Sequence, residues 1–226
     1  MSPRIVEVRQ NVLRKNDELA RSLRTRFNEA GLFVVSLVSS PGAGKTELLQ
    51  RTLAEMRVKR RVAALVGDLA TDRDAQRLAE SGAPVRQITT GTVCHLDAQM
   101  VESALHDWNL DELDLLFIEN VGNLVCPASY DLGEHVRVVL MAVTEGEDKP
   151  RKYPTIFDTA DVALITKVDL ADAVDFNREE AIGSIRSIQP DLPILEVSCR
   201  IHPGITNWLN WLDTREVQES RGAQLV

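Results

Sequence analysis

Membrane-spanning runs, an excess of positive charge and a cysteine framework are all missing from this chain, and each gap narrows what it can be. No stretch approaches the roughly 20 consecutive apolar residues that cross a bilayer. The opening residues, MSPRIVEVRQ, hold no apolar core of a secretory leader. A cytoplasmic protein with no membrane partner is expected. Lys and Arg number 26 against 34 Asp and Glu, for a net charge of -8 and a pI near 5.1. Affinity for phosphate backbones comes mostly from clustered Lys and Arg, so a general nucleic-acid binder is disfavoured. Three cysteines are an odd number in a reducing compartment. That argues against a disulfide framework and leaves metal binding, catalysis or simple burial. Neither an internal repeat nor a low-complexity tract occurs. With 44% apolar and 27% charged residues, the 226-residue chain has the composition of a soluble globular protein with one substantial core.

What is present is an alternation of two periodicities along most of the chain. Leu19, Leu23 and Phe27 recur at four-residue spacing, and Val8 and Val12 repeat the interval, which predicts an amphipathic helix over residues 5–29. Short apolar runs then alternate with helical patterns. LFVVSLV (32–38) precedes a helix over 44–57, RVAALVGD (61–68) one over 72–80, and VRQIT (85–89) one over 97–107. LDLLFIE (113–119) leads into the loop NVGNLVCPASYDLG, and HVRVVLMAVT (135–144) follows. DVALITK (161–167) precedes a helix over 176–188, and PILEV (193–197) a short closing helix over 204–212. Strands apolar on both faces and separated by helices require a mostly parallel sheet covered on both sides. The expected fold is a single-domain α/β doubly wound sheet. An N-terminal helix (1–30) should pack on the main domain (31–213), and a polar, frayed tail (214–226) should follow. The charged stretch EGEDKPRKYP (145–154) suits either a solvated loop or an excursion that touches a neighbouring molecule.

SSPGAGKTELL lies between the first strand and its helix. Gly42 and Gly44 let the backbone curl so that successive N–H groups face an anion, and the helix that follows adds the positive end of its dipole. The pattern G-x-x-x-x-G-K-[ST] is met except at its first position, where Ser39 stands. Pro41, Gly42, Ala43, Gly44, Lys45, Thr46 and Glu47 form the expected phosphate cradle of a P-loop nucleotide-binding protein. Lys45 would reach the outer phosphates, and the Thr46 hydroxyl Mg²⁺. TKVD, Thr166 to Asp169, ends a late strand and differs from the N-K-x-D guanine signature by Thr for Asn. Asp169 can accept both guanine N1–H and the exocyclic amine, with the Lys167 stem along the base. VSCR, with Ser198 and Cys199, follows the next strand where a Ser and a backbone N–H meet the guanine oxygen. GTP is therefore preferred over ATP, because a mismatched polar edge leaves groups unpaired.

Carboxylates near the γ-phosphate are needed for Mg²⁺ and the attacking water. Asp68 and Glu119 are the first candidates and Asp74 a switch contact, with Lys45, Asp68 and Glu119 as the catalytic set and Thr46, Asp68, Asp74 and Glu119 as the Mg²⁺ set. Asp72 and Asp97 are natural helix caps. No Gln follows ENVG and no finger arginine is evident, so slow intrinsic hydrolysis is expected. Cys94 and His95 follow the third strand and Cys126 the fourth, on the rim that carries the phosphate loop in an open parallel sheet. Thiolate with imidazole suits Zn²⁺ or Ni²⁺. Three donors leave a position for water or for a thiolate of a second copy. Cys199 is read as structural or nucleotide-adjacent, and His106, His135 and His202 as without role.

SSPGAGKT, GDLATDRDA, GTVCHLDA, ENVGNLVCPASYDLGE, TKVDL and SCR together resemble the HypB family of nickel-incorporation GTPases, of the SIMIBI class, over about residues 10–213. The resemblance implies a GTPase that dimerises with nucleotide and holds a metal on Cys94, His95 and Cys126 at the dimer interface. It also implies as partners a HypA-type nickel chaperone and the precursor of the [NiFe] hydrogenase large subunit. Neither the C-x-x-C-G-C motif nor the His-rich tract of some members occurs before residue 30, so N-terminal nickel storage is not expected. Alternatives are a urease-type nickel GTPase, whose C-P-H motif CPASYD does not match, a B12-dependent mutase chaperone, which leaves Cys94 and His95 unexplained, and a metal-gated dimerisation module with incidental turnover.

Overall fold

The computed structural model describes residues 3–201 and 204–223, with side chains for 10–201 and 204–216. Val8 in its side chain, and His202 altogether, lie outside the described residues. In chain order the elements are α1 (Pro3–Glu29), β1 (Phe33–Ser39), α2 (Lys45–Met56), β2 (Val62–Asp68), α3 (Arg73–Ala79), β3 (Val85–Thr89), α4 (Ala98–Ala104), β4 (Leu115–Glu119), β5 (Val136–Ala142), α5 (Lys149–Lys152), α6 (Pro154–Asp158), β6 (Val162–Thr166), α7 (Arg178–Arg186), β7 (Ile194–Val197) and α8 (Thr206–Ala223). The seven strands form one sheet in the order β3-β2-β4-β1-β5-β6-β7. Every pairing is parallel.

Side-chain alternation along β1 divides the core. Phe33, Val35 and Leu37 pack under α2, α3 and α8, with Leu49, Leu53, Leu78 and Trp208. Val34 faces α1 and α4, with Ala20, Leu23, Phe27 and Val101. Val38 faces α6 and α7, with Phe157 and Ile185. All seven residues of β1 are buried, as a central strand covered on both faces demands. Each large aliphatic side chain so buried contributes about 1.5–3 kcal/mol.

The helical periodicity placed the elements well but misjudged some ends. Val12 is exposed, because the docked face of α1 runs through Ala20, Leu23 and Phe27. α4 stops at Ala104. The closing helix continues to Ala223, through a polar segment expected to be frayed from 214. The residues 145–154 do not form an open loop. α5 and α6 fill this stretch, Pro150 is buried, and Lys149 pairs with Glu145 at 3.0 Å. Among the described residues no helix is long and apolar enough to cross a membrane.

Candidate functional site: a phosphate cleft beside a cysteine–histidine cluster

The strand order turns back beside β1, and the loops leaving the carboxyl ends of the strands gather there. Gly44, at the head of α2, has φ 95°, a conformation open to glycine. Gly122 has Pro41 so close that a Cβ would sit 3.0 Å from it, so the ENVG loop is seated against the phosphate loop. A cleft of about 470 Å³ results. Pro41, Gly42, Gly44, Lys45, Thr46 and Glu47 line one side, and Asp68, Asp74, Glu119 and Lys167 face them. Ala43 is fully buried and can offer only its backbone.

Within the cleft the charged groups hold one another. Lys45 Nζ donates to Ser39 Oγ at 3.0 Å, so the residue that breaks the glycine pattern is the resting partner of the lysine. Burial lowers the Lys45 pKa, opposed by the Glu119 charge. Thr46 Oγ1 donates to Glu119 Oε1 at 2.7 Å. Burial raises the Glu119 pKa to about 7 against the pull of Lys45, and its Oε2 is buried with no hydrogen-bond partner among the described residues. A hydroxyl and a buried carboxylate with one unpaired oxygen fit a hard divalent cation. The Asp68 carboxylate is already engaged by the Leu69 N–H (2.5 Å) and Thr71 Oγ1 (2.7 Å). Asp97 caps α4 by accepting from the Met100 N–H at 2.8 Å. Asp72 makes no such side-chain cap and instead accepts from Gln76 at 2.7 Å.

A second cavity of about 450 Å³ adjoins the first through Gly44, Glu47 and Lys167, and is closed by Asp169, Leu170, Val197 and Cys199. Ser198 Oγ donates to Asp169 Oδ1 and accepts from the Arg200 N–H at 3.0 Å, so Ser198 aims the aspartate from behind the pocket. Thr166, where the usual pattern has Asn, donates to Ala43 O at 2.6 Å. Lys167, at φ 59°, donates to Gly42 O at 2.6 Å. Both tie the two pockets together. Burial pushes the Cys199 thiol up to about 11, which leaves it a neutral wall.

Cys94, His95 and Cys126 meet on the neighbouring edge, with one ligand atom of each within 4.8 Å of the others. The sulfurs of Cys94 and Cys126 lie 2.9 Å apart, and the hydrogen bond to Cys126 holds the Cys94 thiol above its ordinary pKa. His95 stacks on Tyr130, centroids 4.0 Å apart. Its Nδ1 is buried with no partner among the described residues, and burial lowers its pKa. Two thiols and a neutral imidazole with an unused nitrogen are a donor set for Zn²⁺ or Ni²⁺.

Two residues here escaped sequence reasoning. Asn120, buried, accepts from the N–H of both Leu96 (3.0 Å) and Val121 (2.9 Å), and so bridges the His95 loop and the Glu119 loop. Arg77 lines both cavities and pairs with Glu47 at 2.9 Å and Asp74 at 3.8 Å. Nothing in the α3 sequence marks Arg77 out, because only the packing of α3 on α2 turns it toward the cleft. Asn120 sits inside the quoted ENVG motif, but its bond to Leu96 is a tertiary fact.

Residues 33–196 match the family described as CobW/HypB/UreG, nucleotide-binding domain. The chain is 48% identical over 224 residues to the hydrogenase maturation factor HypB of Azotobacter vinelandii, covering 98% of this chain and 72% of that protein. It is 47% identical over 212 residues to HypB of Escherichia coli K12, covering 94% of this chain and 73% of that one. The crystal structure of Helicobacter pylori HypB in complex with nickel superposes with a TM-score of 0.86 at 40% identity, over 91% of this chain and 97% of that chain. A family match that reaches from β1 into β7, with relatives at nearly half identity along almost the whole length, makes this protein a member of the HypB group of P-loop GTPases within the CobW/HypB/UreG family.

Proposed function

We propose that this GTPase is a metallochaperone that carries Ni²⁺ or Zn²⁺ as cargo on Cys94, His95 and Cys126, and serves nickel insertion into [NiFe] hydrogenase. The observation that carries the reading is the Asn120 bridge, with Oδ1 holding the Leu96 N–H at 3.0 Å beside His95 while the preceding residue, Glu119, lines the cleft of the phosphate loop. Lys45 would meet the β- and γ-phosphate charge, and the guanine edge would lie on Asp169 as Ser198 orients it. Thr46, Glu119, Asp68 and Asp74 would hold Mg²⁺, which supplies charge neutralisation on the phosphates. Binding of the γ-phosphate draws on Glu119, and Asn120 passes any movement to the cysteine edge.

The remaining metal position and the exposed apolar residues Leu69, Val125, Leu170 and Val174 around the rim point to a second copy of the chain as their occupant. GTP and metal would favour the dimer, and hydrolysis would loosen it and free the cargo. A HypA-type chaperone would bring nickel, and the large-subunit precursor would receive it, in the cytoplasm. Nickel and zinc titrations with a GTP analogue and with GDP test the coupling. At least a tenfold difference between the two nucleotides is expected, together with loss of binding in Cys94→Ala and Cys126→Ala. Equal affinity in both nucleotide states would end the coupling, and equal binding by the cysteine variants would end the metal assignment. Phosphate release no faster than background would favour a dimerisation module in which GTP is a structural ligand.

A further inference from the structure

The docked face of α1 reads apolar at Ala20, Leu23 and Phe27, yet one turn before Ala20 it carries Asn16, only 8% exposed. A buried amide is costly unless its donor and acceptor are both paired. Asn16 pairs both, and both partners are far away in sequence. Its Nδ2 donates to Asp131 O at 2.9 Å, and its Oδ1 accepts the Ala98 N–H at 2.9 Å. Ala98 opens α4, where first-turn N–H groups have no partner inside the helix, and it stands three residues after His95. Asp131 directly follows Tyr130, whose ring stacks on His95. One side chain of α1 therefore clamps both the segment that carries the imidazole and the segment that carries its stacking partner.

The clamp is reinforced on the Asp131 side. Arg24 donates to Asp131 Oδ1 at 2.7 Å and to Glu134 O at 3.2 Å. Gly133 presses so closely on α1 that a Cβ there would come within 2.9 Å of Ala20 O and of Leu23. Among the described residues the buried His95 Nδ1 has no hydrogen-bond partner to fix the ring. The His95 ring packs on Tyr130, and α1 anchors the chain beside each of them, at Ala98 and at Asp131, while Asn120 holds Leu96 from the other side.

We propose that Asn16 is a positioning residue for the cysteine–histidine site, through which α1 sets how firmly His95 is presented to a metal. This rests on the cargo-metal reading given above. Groups bonded directly to a ligating histidine change metal affinity by roughly 10–100-fold when lost; Asn16 acts one step behind, through the backbone at Ala98 and Asp131, so the low end of that range is expected here.

The test compares wild type with Asn16→Ala and with Asn16→Leu, which keeps apolar bulk and the helix. Nickel titration followed by thiolate-to-nickel absorbance should weaken at least tenfold in both variants, while GDP affinity stays within twofold. In metal-free protein the His95 ring resonance should move and broaden as the stack on Tyr130 loosens. Nickel affinity within twofold of wild type, or an unchanged His95 resonance, would overturn the proposal. Parallel loss of nickel and GDP binding in both variants would also overturn it, by showing a general structural role. A wild type that holds no nickel would refute the cargo reading, and the metal-free resonance would still decide whether Asn16 positions His95.

Discussion

Glu119 shows how one residue's surroundings set its chemistry. Its side chain is wholly enclosed, Thr46 satisfies one oxygen, and the other has no partner among the described residues. Burial lifts its pKa from 4.5 to about 7. The folded protein therefore binds this proton more tightly than the unfolded chain does. Its contribution to stability is complete below about pH 4.5 and is lost as pH rises to 7, by about 3 kcal/mol in the nucleotide-free protein. Glu119→Gln keeps a Thr46 acceptor and removes the charge. At pH 8 it should unfold at a higher temperature than wild type, and the advantage should vanish at pH 4.5. Thermal unfolding across that range reads this directly, and a constant difference at every pH would show that Glu119 is not held protonated. The same variant should lose GTP hydrolysis.

At the scale of elements, α1 is more than a cover for the sheet. Beyond Asn16 and Arg24, its Asn28 Oδ1 lies 2.8 Å from His135 Nε2, while His135 Nδ1 accepts the Val34 N–H at 3.0 Å. With Nδ1 accepting, the ring proton sits on Nε2. Burial, with Arg24 nearby, lowers the His135 pKa to about 4. The neutral ring is the folded form, so its contribution is full above about pH 6.5 and is lost as pH falls toward 4. Acidification from pH 7 to 4.5 should loosen α1, seen as faster amide exchange along it, and His135→Phe should flatten that dependence. His135 and Glu119 act in opposite directions between pH 4.5 and 6.5, so each is read only by difference from its own variant. His135 is not among the residues that line the two cavities, and no sequence pattern gave it a partner. Its structural role was invisible because Asn28, Val34 and His135 converge only across three elements.

At the scale of the whole molecule, six of the seven strands lead into loops that carry candidate site residues. Val174, exposed four residues after Leu170 and not among the residues lining the second cavity, tests the proposed contact with a second copy. Val174→Glu should weaken GTP-analogue-dependent dimerisation at least tenfold, about 1.4 kcal/mol, with GDP affinity retained. Sedimentation of wild type and variant measures it, and an unchanged dimer would place the interface elsewhere.

The parallel sheet was legible in the chain because strands buried on both faces must be apolar throughout, and such runs alternate with helical spacing. The phosphate loop was legible because it is a contiguous motif whose backbone shape depends on local residues, as with Gly44, whereas the second cavity draws residues from four separate segments, and only the short motifs TKVD and SCR at its edge could be read. The convergence of Cys94, His95 and Cys126 could be anticipated from the common rim. What only the tertiary structure decided are the links between segments distant in sequence. Asn120 reaches Leu96, Asn16 reaches Ala98 and Asp131, and Arg77 turns into the cleft. A hydrogen bond across 82 or 115 positions leaves no periodicity in the chain. Its partners are chosen by how helices settle on the sheet, and that packing is a property of the whole core.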